Sequence, residues 1–194
     1  MKQTIKHHIA ESAQVVNAML VDDQLMTTLE TVANLCIAAL KNGKKLLFMG
    51  NGGSAADCQH LAGEMVSRFA FDRPGLPAFA LTTDTSVLTA IGNDYGYVKL
   101  FARQVQAVGQ SGDVLIGIST SGKSPNIIAA FEVARQQGLV TVGMAGNQRA
   151  LITTVVDHCI EIPSASTPKI QEGHIISGHI LCGLIEDAMF TRPA

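Results

Sequence analysis

The chain has 194 residues, 47% of them hydrophobic and only 15% charged, with a formal net charge of −2; an average soluble domain carries roughly 25% charged residues. The length fits one domain that can bury a core without staples, and the near-neutral balance argues against nucleic acid as a ligand. The longest stretches lacking Asp, Glu, Lys and Arg are 13 residues, 136–148 and 173–185, short of the roughly 18–20 apolar residues of a membrane span.

Lys2 and Lys6 are followed by no apolar h-region, so no export signal is read and a cytoplasmic protein is expected. The scarcity of charge points to surface buried between subunits. Residues 1–43 read as two helices. Val15, Val16, Met19 and Leu20 mark the first, and Leu25, Leu29, Val32 and Leu35–Ile37 the second. Asp22 or Asp23 caps the second helix, and Asn42-Gly43 ends it.

From residue 44 the pattern becomes short apolar runs, each followed by a loop and a helix. Strands are predicted at Lys45–Met49, Pro77–Leu81, Asp113–Ile118, Leu139–Met144 and Asp157–Ile162. Helices are predicted from Ser54 to about Phe69, Asp84 to Ile91, Tyr97 to Val108, Ser124 to Gln137 and Lys169 to Phe190. This alternation predicts an α/β fold, a parallel sheet covered on both faces within a single domain 1–194. In such sheets ligands bind at the carboxyl ends of strands, where two Gly/Ser-rich loops fall.

One loop, Ser119-Thr120-Ser121-Gly122-Lys123-Ser124, places four hydroxyls before a helix. A helix start offers unpaired N–H groups and a positive dipole end, which suit a phosphate; the alternative is that Ser121 or Ser124 caps the helix. Gly117 through Ser124 matches the letters of a nucleotide-binding P-loop. We reject that reading because Gly117 lies within a predicted strand and no apolar run ending in an acidic residue follows. The other loop, Gly50-Asn51-Gly52-Gly53-Ser54, can bring backbone N–H groups to a ligand.

On the following helix His60 and Glu64 share a face, as a metal pair, a proton-transfer pair or a surface contact. Gln171 and His179 lie about 80° apart on the last helix, whereas His174 is about 140° from His179 and reads as a core residue. Asn93-Asp94 reads as a turn. His7, His8 and His158 read as structural or solvated. Cys36, Cys58, Cys159 and Cys182 form no C-x-x-C pair and read as free, buried thiols.

Four segments, GNGGSAADCQHLAGE, TAIGNDYG, GDVLIGISTSGKSPN and KIQEGHIISGH, closely resemble the bacterial phosphoheptose isomerases of the sugar isomerase (SIS) domain group. The resemblance runs nearly end to end. It implies a flavodoxin-like five-stranded parallel sheet, a homotetramer, and interconversion of sedoheptulose 7-phosphate and glycero-manno-heptose 7-phosphate on the way to surface polysaccharide. By the same resemblance Ser119, Thr120, Ser121 and Ser124 hold the phosphate, while Asn51, Gly52, Gly53, Ser54, Asn93 and Asp94 contact the sugar. His60, Glu64, Gln171 and His179 surround one Zn2+ ion, with Glu64 and Gln171 also at the substrate and Glu64 and His179 the acid–base pair. Two departures stand out: Pro168 replaces an acidic residue found in some members, and Ala145–Ala150 lacks a Gly-rich turn. The rival reading is the non-catalytic SIS tetramer that binds the replication initiator DnaA. Its relatives generally lack the groups matching Glu64 and His179.

Overall fold

A computed structural model describes residues 1–148 and 151–192. Two helices of 19 residues each come first, α1 (Lys2–Leu20) and α2 (Asp23–Lys41), the second capped by the Asp22 carboxylate accepting from the Leu25 N–H at 3.0 Å. The α/β part follows as β1 (Leu46–Gly50), α3 (Gly53–Val66), β2 (Ala78–Ala80), α4 (Thr85–Tyr95), a 3-10 turn and α5 (Leu100–Val108). It continues with β3 (Val114–Ile118), α6 (Pro125–Gln136), β4 (Val140–Gly146), β5 (His158–Ile162) and α7 (Thr167–Met189).

The five strands form one parallel sheet in the order β2-β1-β3-β4-β5. β1 and β3 are buried along their whole length, as their unbroken apolar runs demand. Two cores result, one on each face. On one side α2, α3 and α7 pack Val32, Cys36, Leu61, Met65 and Leu181 onto the sheet. On the other, α5 and α6 bury Phe101, Val105, Ile127 and Phe131. No described helix is long and apolar enough to cross a membrane.

The predicted five strands and their order of helices are present, with two local differences. Residues 93 and 94 do not form a turn: α4 continues through them to Tyr95 and stops at Gly96, whose φ of 80° an L side chain rarely adopts. The helix beginning at Tyr97 is a 3-10 turn before α5. Pro168 lies in the first turn of α7, where its missing N–H costs nothing. Of the loop at 145–150, residues 149 and 150 lie outside the described residues. Cys36, Cys58 and Cys182 are free and buried, whereas Cys159 is only partly so.

Candidate active site

Because all strands run the same way, the loops after β1 and β3 emerge side by side. In the hydroxyl loop, Ser119 is 5% exposed and its Oγ lies 3.0 Å from Ser124 Oγ. Ser124 is the N-cap residue of α6, yet its side chain makes no cap bond; Pro125 begins the helix. The capping reading therefore fails for Ser124, whose hydroxyl faces another hydroxyl across the loop. Ser121 Oγ accepts from the Lys123 N–H at 3.3 Å, a weak local bond that leaves the hydroxyl proton available. The Thr120 carbonyl accepts from the Gly146 N–H, tying the loop to β4. Gly117 sits inside β3, and a Cβ there would come within 2.5 Å of the Phe131 ring. It is a packing glycine, not a P-loop glycine.

In the loop after β1, Gly52 has φ 56° and ψ −121°, which turns the chain into α3. Ser54 is buried in the first turn. A Cβ on Gly53 would lie 2.7 Å from Nε2 of Gln171, so the absence of a side chain is what lets α7 lay its amide over this loop.

His60 and Glu64 project from α3 on one face, with Nε2 and Oε1 3.4 Å apart. His179 arrives from α7, its Nε2 2.8 Å from that of His60, one imidazole donating and the other accepting. His60 thus contacts both Glu64 and His179, and Gln171 lies by Gly53. Two imidazoles and a carboxylate are ordinary zinc donors, whereas the Gln171 amide lies outside the usual set. The spacing is that of a hydrogen-bonded pair, since ligand atoms around a tetrahedral zinc stand about 3.3 Å apart. Among the described residues no three His, Cys, Asp or Glu side chains are arranged around a common metal position. Asn93 and Asp94 are exposed at the end of α4, where Asn93 Nδ2 donates to Asp94 Oδ1 at 2.7 Å.

Sequence reasoning overlooked two sets of residues here. Arg73 and Glu186, each side chain 1% exposed, form a buried ion pair of 2.9 Å. Glu186 also accepts from the Phe69 and Ala70 N–H groups at 2.8 and 2.7 Å. Arg73 donates to the carbonyls of Glu64, Met65, Ser67 and Pro74. The backbone of Glu64 is thereby tied to α7, the helix that carries His179. Burial raises the Glu186 pKa, but the two N–H groups and the guanidinium outweigh it and hold the carboxyl below its ordinary value. A sequence signal existed: Glu186 is the first charge after the charge-free run 173–185. The second set is Asn126 and Tyr97, whose side chains meet Asn51.

His174 takes the core position expected of it, 1% exposed, but among the described residues neither ring nitrogen has a geometrically formed hydrogen bond, nor does the buried Ser177 hydroxyl. Burial pushes its pKa down to about 4, which the neighbouring Ala145 backbone partly offsets.

Comparison with known proteins follows the same lines. The SIS domain family matches residues 7–146. The phosphoheptose isomerase of Burkholderia pseudomallei strain 1710b is 62% identical over 97% of this chain and 95% of its own. That of Aneurinibacillus thermoaerophilus is 56% identical over 99% and 97%. The solved phosphoheptose isomerase of Neisseria gonorrhoeae superposes with a TM-score of 0.89 at 40% identity, covering 96% of this chain and 98% of that one. By this family match and these identities, the chain belongs to the phosphoheptose isomerases of the SIS domain family.

Proposed function

We propose that the protein converts sedoheptulose 7-phosphate to D-glycero-D-manno-heptose 7-phosphate, the first step toward nucleotide-activated heptose for surface polysaccharide such as lipopolysaccharide. One observation carries this reading: in a chain of this family, Glu64 and His179 converge on His60 from two helices, beside a loop of four hydroxyls.

Ser119, Thr120, Ser121 and Ser124 hold the phosphate at the positive end of the α6 dipole. Gly52, Gly53, Ser54, Asn93, Asp94 and Gln171 contact the sugar, while Asn51 has only its main chain and one amide N–H left to do so. Isomerisation moves one proton between neighbouring carbons through an enediol. Glu64, whose side chain is 23% exposed, removes the C1 proton and returns it to C2. His179 delivers a proton to the carbonyl oxygen as the enediol forms and takes up the O1 hydroxyl proton as the aldehyde forms, which restores it. His60, Glu64, Gln171 and His179 are the residues that would hold a zinc ion. When bound, that ion supplies Lewis-acid polarisation of the carbonyl.

The protein works as a cytoplasmic homotetramer in this proposal. α1 supports the assembly: Ile5, Ile9, Val16 and Leu20, 42–71% exposed, lie within about 60° of one another around the helix. Such a stripe suits burial against another copy.

The test is turnover of sedoheptulose 7-phosphate by zinc-loaded wild type and by Glu64→Gln. Wild type turns over, and the variant loses about 10²–10⁴-fold. Equal rates would remove Glu64 from the proton path. A zinc-loaded wild type that is inactive yet binds the DnaA initiator would overturn the enzyme reading.

A further inference from the structure

The hydrogen-bond capacity of Asn51 is nearly exhausted by the protein itself. Its Oδ1 accepts from Asn126 Nδ2 at 2.9 Å and from the Tyr97 hydroxyl at 2.8 Å, which fills both lone pairs. Its Nδ2 donates to Asn126 Oδ1 at 2.9 Å, which leaves one N–H. The two amides form a closed, reciprocal pair, with Asn126 2% exposed. A side chain so committed has little left with which to recognise a sugar. It is better described as the point where three segments are fastened together.

Those segments are the ones that matter to the site. Asn51 precedes Gly52 and α3, the helix that carries His60 and Glu64. Asn126 is in the first turn of α6, two residues after Ser124 of the hydroxyl loop. Tyr97 follows α4 and the Asn93-Asp94 pair. β1 and β3 stay in register as far as Gly50 and Ile118, and among the described residues no backbone hydrogen bond joins the two loops that follow them. Past that point the side-chain knot at Asn51 takes over the spacing of the two loops.

Resting on the isomerase reading, we infer that Asn126 and Tyr97 are positioning residues that act through Asn51. They hold the phosphate loop at a fixed separation from the proton-transfer helix, and so select the length of the sugar phosphate. A substrate anchored by its phosphate reaches Glu64 only if its carbon chain matches that separation. Reaction needs atoms within about 3–3.5 Å of contact, and a misplacement of about 1 Å costs on the order of 100-fold. Loosening the knot therefore costs the matched substrate its advantage while leaving the phosphate loop intact.

The decisive variant is Tyr97→Phe, because the ring is 60% exposed and only its hydroxyl is lost. Asn126→Ala removes the reciprocal pair, and the double variant tests whether both act through one residue. Two measurements are made on each: kcat/KM for sedoheptulose 7-phosphate and for fructose 6-phosphate, and calorimetric affinity for inorganic phosphate and for heptitol 7-phosphate. In Tyr97→Phe the seven-carbon to six-carbon preference falls about tenfold, carried by kcat, and inorganic phosphate affinity changes less than twofold. The heptitol phosphate loses its advantage over inorganic phosphate by a similar factor. The double variant falls no further than Asn126→Ala alone. Unchanged preference in both variants, or strictly additive losses, overturns the inference. If zinc-loaded wild type proves inactive on every sugar phosphate, the isomerase reading fails, and the heptitol-to-phosphate affinity ratio alone still decides whether the knot sets ligand length.

Discussion

Two polar contacts join α7 to α3 and the segment that follows it, and they are opposites. Near the strand ends His60 faces His179, with the His60 side chain 45% exposed. At the other end of α3, Arg73 and Glu186 form an ion pair with 1% exposure on each side chain. In the sealed contact both carboxylate oxygens of Glu186 accept from protein donors, three in all; the open one leaves imidazole and carboxylate accessible. Polar side chains serve structure where solvent is excluded and partners are complete. They serve chemistry where capacity is left over.

The contrast can be broken by exchanging one atom at either end. Glu64→Gln, which lowers turnover by orders of magnitude, should leave the urea midpoint within about 0.5 kcal/mol of wild type. Glu186→Gln should do the reverse in kind. It sets an amide N–H against the Arg73 guanidinium or the Phe69 and Ala70 N–H groups and costs about 3–5 kcal/mol of stability. A urea midpoint unchanged in Glu186→Gln would mean the sealed contact is not the stronger tie.

His174 sharpens the same comparison from within the buried face, as a sealed imidazole that burial rather than a charged partner governs. Its folded pKa of about 4 lies below the 6.5 of the unfolded chain. Between those values the unfolded state binds more protons, so its contribution to stability is whole above pH 6.5 and drains away as pH falls toward 4. The loss is about 3 kcal/mol over that window. His174→Leu should flatten the stability profile there, as read from denaturation at several pH values; an unchanged slope would assign the acid loss to other groups. The smallest effect is expected at the exposed hydroxyl loop. Ser121→Ala should raise KM for the sugar phosphate about fivefold, close to 1 kcal/mol, without moving the urea midpoint. An unchanged KM would take Ser121 out of the phosphate site.

Much of this architecture was legible because it is periodic. Buried parallel strands announce themselves as apolar runs, and the run at 113–118 became β3 within a residue. The expected strand at 77–81 shortened to three residues because it is an edge strand, bonded to β1 alone. Asn93-Asp94 was misread since turn-forming composition also suits the exposed last turn of a helix, and the true stop signal was Gly96. The His60–Glu64 pair is a local spacing and could be seen at once. The contact between His60 and His179 spans 119 residues, that between Asn51 and Asn126 spans 75, and that between Glu186 and Phe69 spans 117. No local pattern encodes such meetings; they follow from strand order, which brings the ends of β1 and β3 together. Family resemblance supplied His179, and nothing in the motifs supplied Arg73 or Tyr97.

The cysteines have a practical consequence. Cys36 on α2 and Cys182 on α7 line the same small internal gap, and burial raises both thiols to about 12. At neutral pH neither offers an appreciable thiolate to an alkylating reagent. Labelling at these two positions therefore waits for α7 to lift away from α2 and α3, and its rate counts those openings. The half-buried Cys159, on β5 at the sheet edge, reports separately. The chain thus carries its own stopwatch, timing how often the helix that bears His179 leaves the fold.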